Sequence, residues 1–338
     1  MADSFTSVPT RSTFASYWWA AGHPPADPVT SFAGKTVLIT GANAGLGFEA
    51  AIKFAALGAS NLIFGVRSLQ RGAEAKVRIE AKTGCGADVI QLVELDMSSY
   101  ASIEKFVQQV NKKYTAVHAA VLNAGVFQSS YQLSPEGWEM SIQVNGISTA
   151  YLGILLLPKL RETGLSTGRP AHLEVVASCV QGDVNVRDVR DASSILQKIN
   201  DPKNFSVGSQ YRISKLLSMW VTTHIAAKVC VEQVIVSASC PSMCKSNLSH
   251  DLGFILRGID GIFRSILART AEEGSRTLVS GTLLGPDAHG GFWTHDTIAM
   301  PGVLVISDEG RNLSMQCWKE IFDVLRSQNS EIDVILNG

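Results

Sequence analysis

The sequence predicts an α/β fold in which a doubly wound parallel sheet of about seven strands carries helices on both faces. Two observations predict it. Residues 35–50 read KTVLITGANAGLGFEA, where an apolar run typical of a strand covered on both faces leads into a glycine-rich turn and a helix. From there on, strand-like and helix-like stretches alternate, which indicates parallel strands joined by right-handed crossovers.

The remaining elements follow in this alternating order. Strand-like apolar runs are found at residues 61–66, 89–95, 116–122, 172–177, 234–239 and 290–298. Helix-like stretches are found at residues 69–82, 100–113, 135–160, 211–229, 271–284 and 308–326. Ser307 is placed to cap the last helix. Because no repeat or linker interrupts this order, residues 34–338 are predicted to form a single domain.

Three stretches fall outside the alternation. Residues 1–33 form an N-terminal arm whose aromatic residues are Phe14, Tyr17, Trp18 and Trp19. These rings favour an arm that packs on the body of the protein or on a partner subunit. The polar segment 181–209 is too long for an ordinary connection and is interpreted as a substrate loop. The segment 245–270 is interpreted as a lid because it is amphipathic; a membrane-surface patch and, more commonly, a helix closing over the core are the alternatives.

The composition of the 338 residues argues against several kinds of function. A net charge of −1 gives no general reason to expect binding to nucleic acid or to an anionic membrane. No apolar run reaches the length of a membrane span and no signal-peptide pattern opens the chain, so a cytoplasmic protein is expected. The six cysteines are scattered without a CxxC pair or a histidine at zinc spacing, so no metal site is expected.

The glycine-rich turn suggests phosphate binding. Gly41, Gly45 and Gly47 follow the pattern TGxxxGxG between the first strand and the first helix of the alternation. A turn this tight needs backbone angles that a Cβ forbids, and a bound pyrophosphate must approach such a backbone closely. The helix N-terminus then offers unpaired N–H groups to the phosphates. This pattern is typical of a Rossmann-type dinucleotide-binding sheet, although short glycine patterns also occur in turns that bind nothing.

A second motif, YxxxK, places two ionisable groups on one face of a helix. Tyr211 and Lys215 are four residues apart, so the phenol and the ammonium project side by side. A nearby cation favours the phenolate, which suits the phenol to acid–base catalysis near neutral pH. Ser178 ends the preceding strand, at the edge where such sheets bind ligands, and its hydroxyl could hydrogen-bond a substrate carbonyl. The alternative for Ser178 is an ordinary serine at the end of a strand.

Together these residues resemble the short-chain dehydrogenase/reductase family over nearly the whole chain, from about residue 32 to residue 326. The matching residues are Thr40, Gly41, Gly45, Gly47, Asp96 in LDMSS, Asn123-Ala124-Gly125, Asn145 in QVNG, Ser178, Tyr211 and Lys215. The long gap between Ser178 and Tyr211 and the stretch RTAEEGSRTLV at 269–279 resemble the retinol-dehydrogenase-like branch, especially reductases of fungal secondary metabolism.

The sequence departs from the family pattern at two places. The strand-end pair is Ala177-Ser178 where two serines are common, and strand alternation puts Ser178 in the catalytic position. Pro241-Ser242 replaces the usual Pro-Gly near the expected nicotinamide carboxamide, so the backbone geometry there is an open question. Beyond it, Cys244 and Ser246 occupy the usual valine and threonine positions.

The resemblance implies hydride transfer between a nicotinamide and a carbonyl or alcohol carbon. Ser178 would hold the substrate oxygen, and Tyr211 would give it a proton. Lys215 would favour the phenolate and hold the nicotinamide ribose. Asn145 would position a water molecule that links Lys215 to solvent, and Asp96 would contact the adenine.

The residues after the second strand favour NADP(H) over NAD(H). No acidic residue is present there to bind a free ribose; instead Arg67 can pair with a 2′-phosphate and Ser68 can hydrogen-bond to it. Arg71, one turn on, adds charge, and reduction is therefore the expected direction. The alternative is that Arg67 is a solvated loop arginine. The residues expected to contact the cofactor are Gly41, Asn43, Gly45, Leu46, Gly47, Arg67, Ser68, Asp96, Met97, Asn123, Ala124, Gly125, Tyr211, Lys215, Pro241, Cys244 and Ser246.

The expected small-molecule substrate is an apolar or polycyclic ketone, aldehyde or alcohol, because the segment 245–270 is rich in Leu, Ile and Phe. The resemblance suggests a ketone reductase of secondary-metabolite biosynthesis. Two alternatives stay open: an epimerase, dehydratase or cyclase that keeps a bound nicotinamide, and an NADP-sensing regulator. Many relatives pair through the helices that carry Asn145 and Tyr211, so a homodimer is one expected assembly.

Overall fold

A computed structural model describes residues 13–245 and 268–338. Its strands are β1 Thr36–Thr40, β2 Asn61–Val66, β3 Ile90–Glu94, β4 Ala119–Leu122, β5 Ala171–Val176, β6 Val234–Ser239, β7 Phe292–Thr294 and β8 Thr297–Ala299. They form one sheet in the order β3-β2-β1-β4-β5-β6-β7-β8. All neighbours pair in parallel except β7 and β8. The predicted doubly wound α/β fold is confirmed.

Helices connect and cover the strands. They are α1 Phe14–Gly22, α2 Gly45–Ala56, α3 Leu69–Thr83, α4 Tyr100–Lys113, α5 Met140–Ile142, α6 Ser148–Thr167, α7 Ile195–Asn200, α8 Val207–Ala226, α9 Ala271–Gly281, α10 Val303–Ile306, α11 Asp308–Gln328 and α12 Ile332–Asn337. A π-helical turn, Gln143–Ile147, joins α5 to α6. Ser307 caps α11 as predicted, because its hydroxyl accepts a hydrogen bond from Gly310 N at 3.1 Å.

The sheet has a hydrophobic core on each face. Along β1, Leu38 packs with residues of α4, α6 and α8, whereas Val37 and Ile39 pack with residues of α2, α3 and α9 on the other side. Successive side chains of a strand point to opposite faces, so a strand between two helical layers needs apolar residues at every position. This explains why β1 reads as a continuous apolar run.

The last predicted strand, 290–298, is wrong as a single element. The chain turns back within it, so that β7 and β8 form an antiparallel hairpin and the sheet built by the described residues has eight strands. His295 and Asp296 make the two-residue turn, with φ angles of 52° and 57°. Tight hairpins of this kind need positive φ at both turn positions, and His and Asp adopt such angles more readily than most residues.

The long helical region after β4 also differs from the prediction. The helix begins at Met140 and not at residue 135, because the Glu139 carboxylate accepts hydrogen bonds from Ser141 N and Ile142 N and so caps the first turn. Among the described residues, Met140–Thr167 is the one helical stretch long and apolar enough to cross a membrane, which the sequence analysis did not expect. Its apolar window is 94% buried inside the protein, as in the core helix of a globular protein.

The described part of the N-terminal arm packs on the body of the same chain. Helix α1 begins with a capping box in which Thr13 and Ser16 exchange hydrogen bonds with each other's backbone N–H groups. Further along, the ring of Phe32 meets Phe54 of α2 edge-on, with 4.8 Å between the ring centroids.

Candidate functional site

A cleft of about 730 Å³ lies at the carboxyl ends of the strands, a volume in the usual range for small-molecule sites. It opens where β1 and β4 lie side by side, which is the point where the strand order reverses. The predicted site residues that line it are Gly41, Asn43, Gly45, Leu46, Arg67, Asp96, Met97, Asn123, Ala124, Gly125, Ser178, Tyr211, Lys215, Pro241 and Cys244. Three further predicted residues, Gly47, Ser68 and Asn145, are not part of this lining, and Ser246 lies outside the described residues.

The ends of β1 and β4 are held together by hydrogen bonds. Asn123 donates its Nδ2–H to Thr40 O at 2.9 Å, and Ala124 N donates to Thr40 Oγ1 at 2.8 Å. The motif that follows β4 therefore fixes the edge of the glycine-rich turn.

The glycine-rich turn has the geometry of a phosphate cradle. Gly41 and Gly45 have positive φ angles of 70° and 57°, which side chains strongly disfavour. A Cβ on Gly47 would lie 2.6 Å from both Gly41 O and Asn123 Nδ2, so this glycine is needed for close packing. Within the described part of the chain, no side chain caps the N-terminus of α2, which leaves its first N–H groups directed toward the cleft. The residues present fit a dinucleotide pyrophosphate.

The end of β2 presents positive charge. Arg67 and Arg71 both line the cleft, both are exposed, and neither makes an ion pair within residues 13–245 and 268–338. The hydroxyl of Ser68 accepts a hydrogen bond from Arg71 N at 3.3 Å and caps α3. Ser68 therefore orients the helix that carries Arg71, while its expected hydrogen bond to a phosphate stays a prediction.

The end of β3 contributes a carboxylate. Oδ1 of Asp96 accepts hydrogen bonds from Ser98 N at 2.9 Å and from Ser98 Oγ at 2.7 Å. These bonds fix the carboxylate in the cleft wall beside Met97.

Tyr211 and Lys215 project from α8 into the same cleft, as the i, i+4 spacing predicts. The Lys215 ammonium lies 6.0 Å from the centroid of the Tyr211 ring and donates a hydrogen bond to Val176 O at 2.8 Å. Lys215 is only 8% exposed, and burial lowers its pKa to about 8. The Tyr211 ring also meets Phe127 edge-on, with 5.2 Å between centroids.

Ser178 follows β5 and faces the cleft, whereas Ala177 is buried in a small cluster with Met219 and Cys240. The strand alternation used in the sequence analysis therefore gives the orientation found in the structure. The Ser178 hydroxyl accepts a hydrogen bond from Val180 N at 3.4 Å, which begins the 3₁₀ turn Cys179–Asp183. Its O–H hydrogen remains available for a substrate oxygen.

Asn145 sits in the π-helical turn and acts as a clamp behind the cleft. Its Oδ1 accepts from Val126 N, and its Nδ2 donates to Val126 O, both at 2.9 Å. The same amide donates to Ser214 Oγ at 3.0 Å, and Asn145 O accepts from Ser218 Oγ at 2.9 Å. Asn145 thus joins the segment after β4 to α8, and its predicted role in positioning a water molecule stays a prediction.

Ser242 keeps the backbone conformation that a glycine would adopt. Its φ of 66° lies in the left-handed region. The preceding Cys240 thiol accepts hydrogen bonds from Cys179 N at 3.1 Å and Ser242 N at 3.4 Å, and the interaction with Cys179 lowers its pKa. On either side of Ser242, Pro241 and Cys244 both line the cleft.

Some residues of the cleft were missed by sequence reasoning. Tyr17 of the N-terminal arm lines it, and so do Phe127, Gln128 and Gln132 in the loop after β4. By contrast, no residue of the predicted substrate loop 181–209 is part of the lining found in the described chain. Glu320 of α11 explains this difference, because its carboxylate accepts hydrogen bonds from the N-terminus of α7 and holds that loop against α11. Most of the predicted lid lies outside the described residues.

Metal ligands are not grouped at this site. Within the ranges 13–245 and 268–338, no cluster of three or more His, Cys, Asp or Glu residues could hold a metal ion.

Known proteins resemble the chain at the levels of both sequence and fold. A family model described as short chain dehydrogenase matches residues 35–169. A short-chain dehydrogenase/reductase of Aspergillus flavipes, ffsI, is 61% identical over 100% of this chain and 99% of its own length. Another of Phaeosphaeria nodorum, phmF, is 60% identical over 100% of both chains. The NADPH-bound carbonyl reductase from chicken fatty liver shares the fold with a TM-score of 0.60 at 16% identity, covering 83% of this chain and 97% of that one. The chain therefore belongs to the short-chain dehydrogenase/reductase family and resembles its fungal members.

Proposed function

We propose that this protein is an NADP(H)-dependent reductase that converts a ketone of an apolar or polycyclic small molecule into an alcohol. The proposal rests on one observation: a single cleft brings together two sets of groups. The first set is the glycine-rich turn with Arg67 and Arg71, and the second is the side chains of Ser178, Tyr211 and Lys215. Nucleotide binding alone would not require Ser178, Tyr211 and Lys215 all together. Their presence favours catalysis over an NADP-sensing regulator.

When it is bound, the nicotinamide supplies hydride for a carbonyl carbon. The Ser178 hydroxyl donates a hydrogen bond to the carbonyl oxygen and holds it near Tyr211. The Tyr211 phenol gives its proton to that oxygen as negative charge develops there. These two donors fix which oxygen is protonated and how the carbonyl is oriented.

Lys215 supports this proton transfer electrostatically. Its ammonium lies on the same side of α8 as the phenol and favours the phenolate that remains after the proton has left. The hydrogen bond to Val176 O holds the ammonium in place within a buried environment, where its field is screened less than in water. The hydrogen bonds of Asn145 hold α8 against the loop after β4, so the rings of Tyr211 and Phe127 stay in contact.

The preference for NADP(H) rests on Arg67 and Arg71. Their guanidinium groups can pair with a 2′-phosphate bidentately, and no carboxylate stands at the end of β2 to bind a free ribose. We expect Arg67→Asp to raise the Kd for NADPH at least tenfold and to leave the Kd for NADH unchanged or lower. Arg169→Asp is the matched control, since Arg169 is exposed just before β5, at the opposite end of the sheet. An NADPH preference that survives Arg67→Asp would contradict this assignment.

The walls of the cleft favour an apolar substrate. Beside Tyr211 and Ser178, the lining includes Phe127, Val180 and Met140, which offer apolar contact surface. Gln128 and Gln132 add neutral polar groups to this part of the wall. Because the relatives with 60% and 61% identity are fungal, secondary-metabolite biosynthesis is the proposed setting.

The test is turnover of a panel of polycyclic ketones with NADPH. We expect Tyr211→Phe to lower kcat at least about 100-fold while NADPH still binds, because it removes the proton donor alone. Tyr114→Phe is the matched control; it removes the hydroxyl of a buried tyrosine at the end of α4, outside the cleft. Full activity of Tyr211→Phe would refute the mechanism. Product that forms without NADPH consumption would instead favour an epimerase, dehydratase or cyclase.

A further inference from the structure

We propose that the N-terminal helix α1 is a fixed wall of the dinucleotide site and that Tyr17 contacts the nicotinamide half of the bound cofactor. This inference rests on the proposed function, because it assumes that a nicotinamide dinucleotide occupies the cleft. Tyr17 lines the same cleft as the glycine-rich turn, although it belongs to an arm that precedes the sheet.

Arg269 fastens α1 to the body. Its side chain is 2% exposed, and its guanidinium donates hydrogen bonds to Ala20 O at 2.9 Å and to His23 O at the end of the helix. The same guanidinium contacts His295 Nδ1 at 2.8 Å and Pro241 O at 3.4 Å. One buried cation therefore joins the carboxyl end of α1, where the helix dipole is negative, to the loop after β6.

Other contacts hold α1 and the chain that follows it. The ring of Trp19 packs edge-on against His295, with 5.1 Å between centroids. Ala26 N donates a hydrogen bond to Asp296 Oδ2 at 2.7 Å, and Asp27 pairs with Lys53 of α2 at 2.7 Å. The arm is thus attached to the β7–β8 hairpin and to the helix that follows the glycine-rich turn. Such a wall binds a ligand without first having to be ordered.

These attachments place α1 at one end of the cleft. Arg269 N donates a hydrogen bond to Met243 O at 2.9 Å, which sets Arg269 and the helix it holds beside the cleft residues Pro241 to Cys244. In the sheet order, these residues follow β6, whereas Arg67 and Asp96 follow β2 and β3 on the other side of the β1–β4 crevice. A dinucleotide that lies across the crevice with its adenosine near Arg67 has its nicotinamide half near β6 and α1.

The aromatic residues of α1 differ in their surroundings. Trp18 and Phe14 are 60% and 62% exposed, whereas Tyr17 is half-buried and faces the cleft. A tyrosine offers a flat ring with low conformational freedom and a hydroxyl at its tip, which suits contact with a ribose, a phosphate or an aromatic carboxamide. Trp18 provides a matched control on the same helix.

The experiment measures binding, so it does not depend on turnover. Wild-type protein is titrated with NADPH by nucleotide fluorescence, and with the half-molecule adenosine 2′,5′-bisphosphate by competition; NADH and AMP replace them if the protein prefers NADH. We expect Tyr17→Ala to raise the Kd for the dinucleotide about tenfold, as for loss of one well-packed aromatic contact, and to change the Kd for the half-molecule less than twofold. Trp18→Ala is expected to change neither constant.

The outcomes separate this inference from the proposed function. If the wild type binds neither dinucleotide, the proposed function fails. If the wild type binds and Tyr17→Ala binds the dinucleotide equally well, α1 is not part of the cofactor site. Equal losses for the dinucleotide and the half-molecule, or an equal loss in Trp18→Ala, would show a general structural role and would also overturn the inference.

Discussion

Glu174 in β5 is the residue of this sheet whose effect on the stability of the fold should depend most clearly on pH. The side chain is completely buried, and within the described residues neither carboxylate oxygen has a hydrogen-bond partner. It lies against α9 at Gly281, where an added Cβ would be 2.4 Å from Oε1. Burial raises its pKa well above 4.5, and the neighbouring Ser239 hydroxyl offsets only part of the rise. We predict that Glu174→Gln stabilises the protein at neutral pH.

The size of the effect follows from proton linkage. Because the pKa of Glu174 is higher in the folded state, the folded protein binds a proton that the unfolded chain loses above pH 4.5. The free energy of unfolding of the wild type therefore falls by about 1.4 kcal/mol for each pH unit above the unfolded pKa, until the raised pKa is reached. A glutamine has no such proton, so the advantage of Glu174→Gln is absent near pH 4 and grows with this slope as the pH rises.

The assay is urea unfolding of both proteins between pH 4.5 and pH 8, followed by tryptophan fluorescence. Glu94→Gln is the matched control, since it makes the same chemical change at an exposed position on β3. We expect that control to differ from the wild type by less than about 0.5 kcal/mol at every pH.

A constant difference between Glu174→Gln and the wild type across this pH range would refute the reasoning. It would mean that the carboxylate ionises in the folded protein as readily as in water. A destabilised Glu174→Gln at pH 8 would contradict the prediction equally.

Three further predictions concern the cleft. Ser242→Gly should raise the free energy of unfolding, measured by urea unfolding, by about 1 kcal/mol, because it removes the strain of a side chain at positive φ. A loss of stability would contradict this. Lys215→Met should abolish ketone reduction yet raise the free energy of unfolding by up to about 3 kcal/mol below pH 8, because the lowered pKa of Lys215 means that burial penalises its charged form. This gain should shrink between pH 8 and pH 10.5, as the lysine of the wild type loses its proton first in the folded state. A destabilised Lys215→Met variant would refute the argument. Gly47→Ala should prevent NADPH binding in a fluorescence titration, since its Cβ would meet Gly41 O at 2.6 Å, and unchanged binding would contradict the packing argument.

The parts of the site that could be predicted from the sequence are those fixed by local geometry. Tyr211 and Lys215 share a face of α8 because they are four residues apart, and Ser178 faces the cleft because strands alternate. The glycine-rich turn was recognisable because its conformation excludes side chains at Gly41 and Gly45. Each of these arguments needs only residues that are neighbours in sequence or in one strand.

Tyr17 could not be placed in this way. Its position depends on the bond from Arg269 to Ala20, two residues that are 249 positions apart. The three aromatic residues beside Tyr17 in α1 look equivalent in sequence, and only the tertiary structure distinguishes the ring that faces the cleft.

Turn chemistry explains the other differences. The hairpin at His295-Asp296 lacks the Asn-Gly signature that normally reveals a two-residue turn, so residues 290–298 looked like one strand. Ser242 was recognised as a departure from Pro-Gly, but the sequence could not show whether the backbone would change or the serine would adopt a strained angle. The structure has the strained angle, and the neighbouring Pro241 lines the cleft.

The most direct test of the central claim is a titration of the purified wild-type protein with NADPH and NADH, followed by nucleotide fluorescence. The glycine-rich turn together with Arg67 predicts saturable binding of NADPH at least tenfold tighter than that of NADH. Equal binding of the two would contradict the role of Arg67. Binding of neither would contradict the assignment of the cleft as a dinucleotide site.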